Sequence, residues 1–564
     1  MKKRIVCALM SFIFLFGLFS GCEDNVQKKQ YDQEKKFISV SVGETFYLKA
    51  EKTISADWTV DDEGVLSAEM KENYLELTGL SEGAAEVYYK GKALYRVIVH
   101  GVFDEGFELA TDSVIHIDLD ENEYGKIKVE GVAEEKLSSL FTFTSSSIYV
   151  AYVSNSGVVR GCQPGVAEIT VKEKQTGMSR KVYVSVSGSR SNSYVGSLET
   201  GGVGTISHVQ GVATNLFGDV FYYSFTDRLV VQKSDGEIIG SVVGIQGHMG
   251  DLAFNPEDGR VYVSYSYSSS TSGLGEGTAL RKQKNAYVLI FDVEKIDRMN
   301  MSPDGIVTCV YVGEKIRELA DTPGYDYGTK YDDLTIGGKY GVVNSIGNLA
   351  IGPAFGENNA KTYVTCVLSQ PANALSSASG VYAYDREDND YFVIVQFDVS
   401  NWGSYEVPYS EIENAGGPKD FDRMYFYYAG QHDYGVQVMT YDAYQHMYVL
   451  TTYSLINSTL EGATQFPNYS VYYLDAGQVK TGKLIGNGEE SGNIVTEKFG
   501  KKDEATGIKG WLVWYDVGFI SLGDGFYYRA ENYTDGSAAC RLILCAFNEK
   551  AAVDDTCPVI IDSI

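Results

Sequence analysis

Positive charge is scarce in this sequence: 47 Lys and Arg stand against 75 Asp and Glu, for a formal net charge of −28. A surface of that sign repels phosphate backbones and anionic lipid headgroups, so nucleic acid is not an expected partner. Proline is also scarce, at 10 residues, whereas Gly numbers 60, Tyr 43 and Phe 25. That is the composition of a folded, aromatic, turn-rich β chain and excludes a disordered one. Helical periodicity is nearly absent beyond the first residues, and no long apolar run follows the one at 5–19. Paired CxxC spacing is missing too, which argues against a structural zinc site. Beyond Cys7 and Cys22, the cysteines Cys162, Cys309, Cys366, Cys540, Cys545 and Cys557 read as buried thiols, and a bond from Cys540 or Cys545 to Cys557 is the one disulfide to test. At 564 residues the chain exceeds what one core supports, and two to four domains are expected.

The start of the chain is an export signal: Met1-Lys-Lys-Arg4, the apolar stretch 5–19, then Ser20-Gly21-Cys22. Small residues before a cysteine at this distance resemble the lipobox of bacterial lipoproteins, with Leu18 four positions before the cysteine and Phe19 three before it. The resemblance implies removal of residues 1–21 and lipidation of Cys22, an anchor worth about 0.8 kcal/mol per buried methylene. A polar tether fills 22–36, and its Glu23-Asp24 is similar to the surface-export signal of Bacteroidota lipoproteins. The implied location is the outer membrane, facing the cell exterior, with lipid as the one membrane contact.

From residue 37 apolar and polar residues alternate with the period of strands that have one buried face. Gly79-Leu-Ser-Glu-Gly83-Ala-Ala-Glu-Val87 recurs as Gly161-Cys-Gln-Pro-Gly165-Val-Ala-Glu-Ile169, two glycines for a tight turn and then a strand. This phrase resembles the bacterial Ig-like domain of group 2, clearly over 105–188 and more loosely over 37–100. The resemblance implies two β-sandwiches, at 37–101 and 102–188, acting as a spacer that holds the rest of the chain away from the membrane. His100 and His116 stand singly there and read as ordinary strand-end histidines.

The polar stretch 188–193 marks a boundary, and 190–564 reads as a β-propeller. A glycine opening an apolar strand recurs at Gly211, Gly250, Gly347, Gly435 and Gly518. After the first, strands are predicted at 220–224, 229–232 and 237–242, four in about forty residues, which is the length of a propeller blade. The phrase predicts five blades, with a degenerate sixth at 300–345 as an alternative count and two sandwiches in series as the competing architecture. Residues 194–198 are left over and are expected to join the last sheet and close the ring.

If each glycine opens an innermost strand, the residues beside it ring the mouth of the central channel. Those are His208 and Gln210, His248 and Asp251, Asn344 and Asn348, Gln431, His432, Asp433 and Tyr434, and Tyr515 with Asp516. Insertions add Tyr325, Tyr327 and Trp511, whose rings suit stacking on sugars. The leading expectation is a binding site for an extracellular ligand, a glycan. The second is a polysaccharide-active enzyme, a glycoside hydrolase or uronate lyase, with His208, His248 and His432 as acid, base or metal ligands and Asp251 and Asp433 as carboxylates. Three histidines with Asp251 would also suit a divalent cation. A third reading is a scaffold for an outer-membrane complex. The bland reading is a polar plug that satisfies strand ends.

Overall fold

The computed structural model describes most of 36–100, all of 107–267 and the greater part of 286–560. Outside it lie 1–35, 50–56, 101–106, 268–285, 317–341, 384–390, 430–435, 453–470, 485–490, 512–517, 548–558, 561–564 and a few stretches of one to three residues. Cys22 and the tether therefore fall outside the described residues, as does Cys557; Cys540 and Cys545 are buried.

The chain is all-β. Its first 188 residues hold two sandwiches of one topology, each a four-stranded sheet on a three-stranded one. In the first, Lys36–Ser41 runs parallel to Lys92–His100, followed by Gly83–Tyr89 and Trp58–Val60; Thr45–Lys49, Tyr74–Gly79 and Leu66–Met70 form the opposing sheet. The second repeats this strand for strand, with Val114–Asp118 parallel to Ser179–Ser187. Alternation explains the cores: Ala167, Ile169 and Val171 face inward from one strand, against Val159 and Ala151 of the facing sheet. Both glycines that close the shared turn, Gly83 and Gly165, have positive φ (158° and 151°).

Five sheets of four or more strands follow in chain order among the described residues, each opened by a strand that carries or follows the recurrent glycine: Val209–Thr214, His248–Asn255, Ala350–Gly352, Val436–Asp442 and Phe519–Ser521. These first strands touch in cyclic order, and Val209–Thr214 meets both its successor and Phe519–Ser521, so the sheets surround one axis as in a β-propeller. Ser197–Glu199 pairs with Ala538–Phe547 at the outside of the last sheet, so 194–198 joins that sheet. At three of the five glycines neighbours stand where a side chain would be, whereas a Cβ on Gly347 would meet nothing within 4 Å. A Cβ on Gly211 would lie 2.7 Å from the Asp251 Cα, one on Gly250 2.6 Å from the Gly347 carbonyl oxygen, and one on Gly518 2.7 Å from the Val438 Cβ.

The second sandwich sits against the propeller through two arginines. Arg160 donates to Glu123 (2.9 Å) and to Asp219 (2.8 Å) and lies over the Phe217 ring at 3.8 Å. Arg190, 7% exposed, donates to the carbonyls of Phe217 on the propeller and Cys162 on the sandwich. The stretch 188–193 is therefore a pinned turn: Ser189 Oγ, the Arg190 amide and Tyr194 Oη all donate to Asp524 (2.9, 3.3 and 2.8 Å). An Arg190→Ala variant strands those buried carbonyls, at about 1–3 kcal/mol each. Limited proteolysis should cut it within 188–196 well before the parent chain; equal cutting rates would show that Arg190 does not hold the junction.

Candidate functional site

Each first strand runs from the face where its glycine phrase begins to the opposite face, and the two faces are built differently. On the far face four of the five turns are short, 215–219, 256–259, 443–446 and 522–525, the fifth spans 353–362, and the second sandwich lies against this face. On the near face begin the long connections that follow Arg260–Ser266, Tyr363–Val367 and Met447–Thr452.

The phrase residues do not act as one set. Three of the first strands carry a register shift at the same place, between Val209 and Gly211, Met249 and Leu252, and Val436 and Val438. Such a bulge breaks the alternation and re-aims side chains, and here polar groups enter the axis. Asp251 is fully buried: one carboxylate oxygen accepts from the Leu252 amide (2.9 Å), the other from Leu349 (3.2 Å) and Met439 (2.8 Å), which belong to the next two sheets. Burial raises its pKa well above the usual carboxylate value, and the three amides oppose that rise. Asn348, 3% exposed, donates to the carbonyls of Val367 (3.3 Å) and Val436 (3.2 Å) and accepts from the Val367 amide (2.8 Å). Gln437 reaches Gln210 Oε1 at 3.1 Å. The axis is thus a hydrogen-bonded plug.

Above the plug stand the histidines. Gln210, 2% exposed, donates through Nε2 to Thr226 Oγ1 and to His208 Nε2, both at 3.2 Å. With its oxygen engaged by Gln437, Gln210 offers His208 a donor, so His208 Nε2 is the acceptor of a neutral ring. His208 is exposed at the rim, yet the protein around it lowers its pKa by desolvation. His248 is half-buried, and its pKa is lowered first by desolvation and then by the nearby His208.

Two expectations need correction. Asp251 and Asn348 do not face the mouth: the bulge between Met249 and Leu252 turns Asp251 into the axis, Asn348 is buried there by its bonds to Val367 and Val436, and both Asp251 oxygens are engaged by buried backbone amides. Trp511 is 5% exposed and packs edge-on against Tyr473 at 5.0 Å, in the core between the last two sheets, so its ring offers no surface to a ligand. Asn344, Gln431, His432, Asp433, Tyr434, Tyr515, Asp516, Tyr325 and Tyr327 lie outside the described residues. Among the described residues no three His, Cys, Asp or Glu come together as a metal site would require. Sequence reasoning missed Gln437, although its place two residues after Gly435 was a usable signal.

No protein-family model matches the chain, and no curated protein does. Among solved structures, the chain is similar to the Dos1 propeller at 8% identity and a TM-score of 0.23, over 69% of this chain and 68% of that one. It is similar to the β-propeller domain of Myceliophteria thermophila Cps50 (Swd1) at 9% identity and a TM-score of 0.19, over 72% and 96%. Domains 6–7 of the surface layer protein SbsC match at 14% identity and a TM-score of 0.12, over 27% and 95%. Likenesses at these scores carry no argument; the propeller description rests on the cyclic contact of the first strands.

Asp251 generates a testable pair. Asp251→Ala strands three buried amides, at about 1–3 kcal/mol each, and should lower stability by at least about 3 kcal/mol in urea titrations. Asp251→Asn keeps the shape and has no proton to lose. Because the folded pKa is raised, the parent's extra stability is full below the unfolded value near about 4 and is lost as pH rises through the folded value. The parent should therefore lose stability relative to Asp251→Asn as pH rises above about 4; parallel pH profiles would refute the assignment.

Proposed function

We propose that the protein is a cell-surface lipoprotein whose five-bladed propeller binds an extracellular ligand, a glycan, on the face that carries His208 and His248. The inequality of the two faces carries this reading: one is occupied by the chain's own sandwich through Arg160 and Arg190, and the other presents exposed and half-buried histidines where the long connections begin. The matching strand orders of the two sandwiches support their assignment as bacterial Ig-like domains. The five cyclically touching first strands support the blade count. Lipidation at Cys22 and export to the outer surface rest on the sequence signal.

Binding is favoured over turnover because Asp251, the carboxylate nearest His248 in sequence, is committed to three backbone amides. General acid–base work on a sugar needs two ionisable groups flanking the bond to be broken. Neutral imidazoles at a rim serve instead as hydrogen-bond partners for hydroxyls.

Incubating the protein with a polysaccharide panel, while following column retention, reducing ends and the absorbance of unsaturated uronates, tests this directly. Retention without product is expected. His208→Ala and His248→Ala should each weaken retention by roughly 3- to 10-fold, the worth of one or two neutral hydrogen bonds. Product in either assay would replace binding by catalysis, and unchanged retention in both variants would move the site off this face.

A further inference from the structure

At the far end of the axis, between the second sandwich and the propeller, lies a cavity of about 110 Å³. Its floor is apolar and comes from successive first strands: Leu252, Ala350, Met439 and Ile520. Its sandwich wall carries Tyr149 and Gln163. The Tyr149 hydroxyl is buried with no hydrogen-bond partner, and its ring is held edge-on against Tyr441 at 5.5 Å. Gln163 is 8% exposed, and its amide makes no hydrogen bond among the described residues. No charged side chain lines the space.

These features select a ligand class. The buried Tyr149 hydroxyl left unpaired costs about 1–3 kcal/mol, and the Gln163 amide on the same wall offers both a donor and an acceptor, so a molecule that fills the space is favoured if it can donate and accept. The absence of any lining charge penalises an ion, whose desolvation nothing there would offset. An apolar floor under a polar wall fits a molecule with a hydrocarbon face and a hydroxyl rim. At about 10–15 Å³ of such volume per water, the cavity takes on the order of ten non-hydrogen atoms. We propose that it is a second binding site, for an uncharged polyhydroxylated ring of monosaccharide or cyclitol size, held by the Tyr149 hydroxyl and the Gln163 amide over the ends of the first strands.

The site draws one wall from the sandwich and its floor from the propeller, so occupancy would tighten the junction, independently of what the histidine face binds. The experiment is saturation-transfer NMR on the full chain with D-glucose, D-galactose, myo-inositol and D-glucuronate, followed by crystal soaking. At least one neutral ring should bind with a dissociation constant in the millimolar range, and glucuronate at least about 10-fold more weakly. Tyr149→Phe and Gln163→Met should each weaken the neutral ring by roughly 3- to 10-fold, at a melting temperature no lower than the parent's. Should one variant fold poorly, the other and the soaked crystal carry the test. Absence of transfer from every neutral ring, wild-type affinity in both variants, or a soaked cavity holding water alone would each overturn the proposal.

Discussion

The carboxylate of Asp251 is the contact on which the propeller's centre depends. Its oxygens accept amides from the strand that bears it and from the first strands of the next two sheets, so a single side chain fixes the relative height of three blades. Gln437 passes the connection to Gln210 of the first blade, and Asn348 ties the third to the fourth. Buried polar groups joined in this way are strong when complete and costly when any member is missing. The arrangement also explains the missing side chains: the strands approach so closely that Gly211 and Gly250 have backbone atoms where a Cβ would stand. The same glycines that let the blades converge leave no room for a channel.

The outer edges follow a complementary rule, since an unpaired strand edge invites foreign strands. Residues 298–301 cover Ile238–Val243 through the Ser241 amide on the Arg298 carbonyl (3.1 Å) and the Met301 amide on the Ser241 carbonyl (2.8 Å). Val407–Pro408 covers Val307–Tyr311, held by Glu406, which receives both terminal nitrogens of Arg260 (2.7 and 2.9 Å) and the Thr308 hydroxyl (2.7 Å). Ser491–Ile494, paired with Lys480–Lys483, extends the third sheet beyond Arg423–Tyr428. In each case the covering segment comes from later in the chain, so the excess length that makes the blades unequal in sequence is spent partly on stapling one sheet to the next.

This division accounts for what could be read from the sequence. The glycine phrase was legible because close approach at the axis leaves no room for a side chain at Gly211, Gly250 and Gly518, and strand alternation was legible because one face of each strand is buried. The direction of the polar residues was not. Alternation places Asp251 by period two, but the bulge between Met249 and Leu252 shifts it, and nothing local distinguishes a bulged strand from a regular one. Trp511 was misread for a related reason: its stretch has the glycine and polar content of a surface loop, whereas its backbone pairs with Val471 and draws the ring inward. Gln163 and Tyr149 gave no signal, because their significance arises only where two domains meet.

The docking of the second sandwich changes what a spacer can do. A flexible spacer sets reach and leaves orientation free. Here Arg160, Arg190 and Asp524 join the sandwich to the propeller through buried or half-buried hydrogen bonds spaced across the junction, so the two share one orientation. The first strands run along that shared axis from the histidine face to the sandwich. Any attachment made through the N-terminal side of the chain therefore enters at the occupied face and points His208 and His248 the opposite way. Under the lipid tether proposed at Cys22, a property of the interface would become a property of the surface, with the histidine face turned away from the membrane.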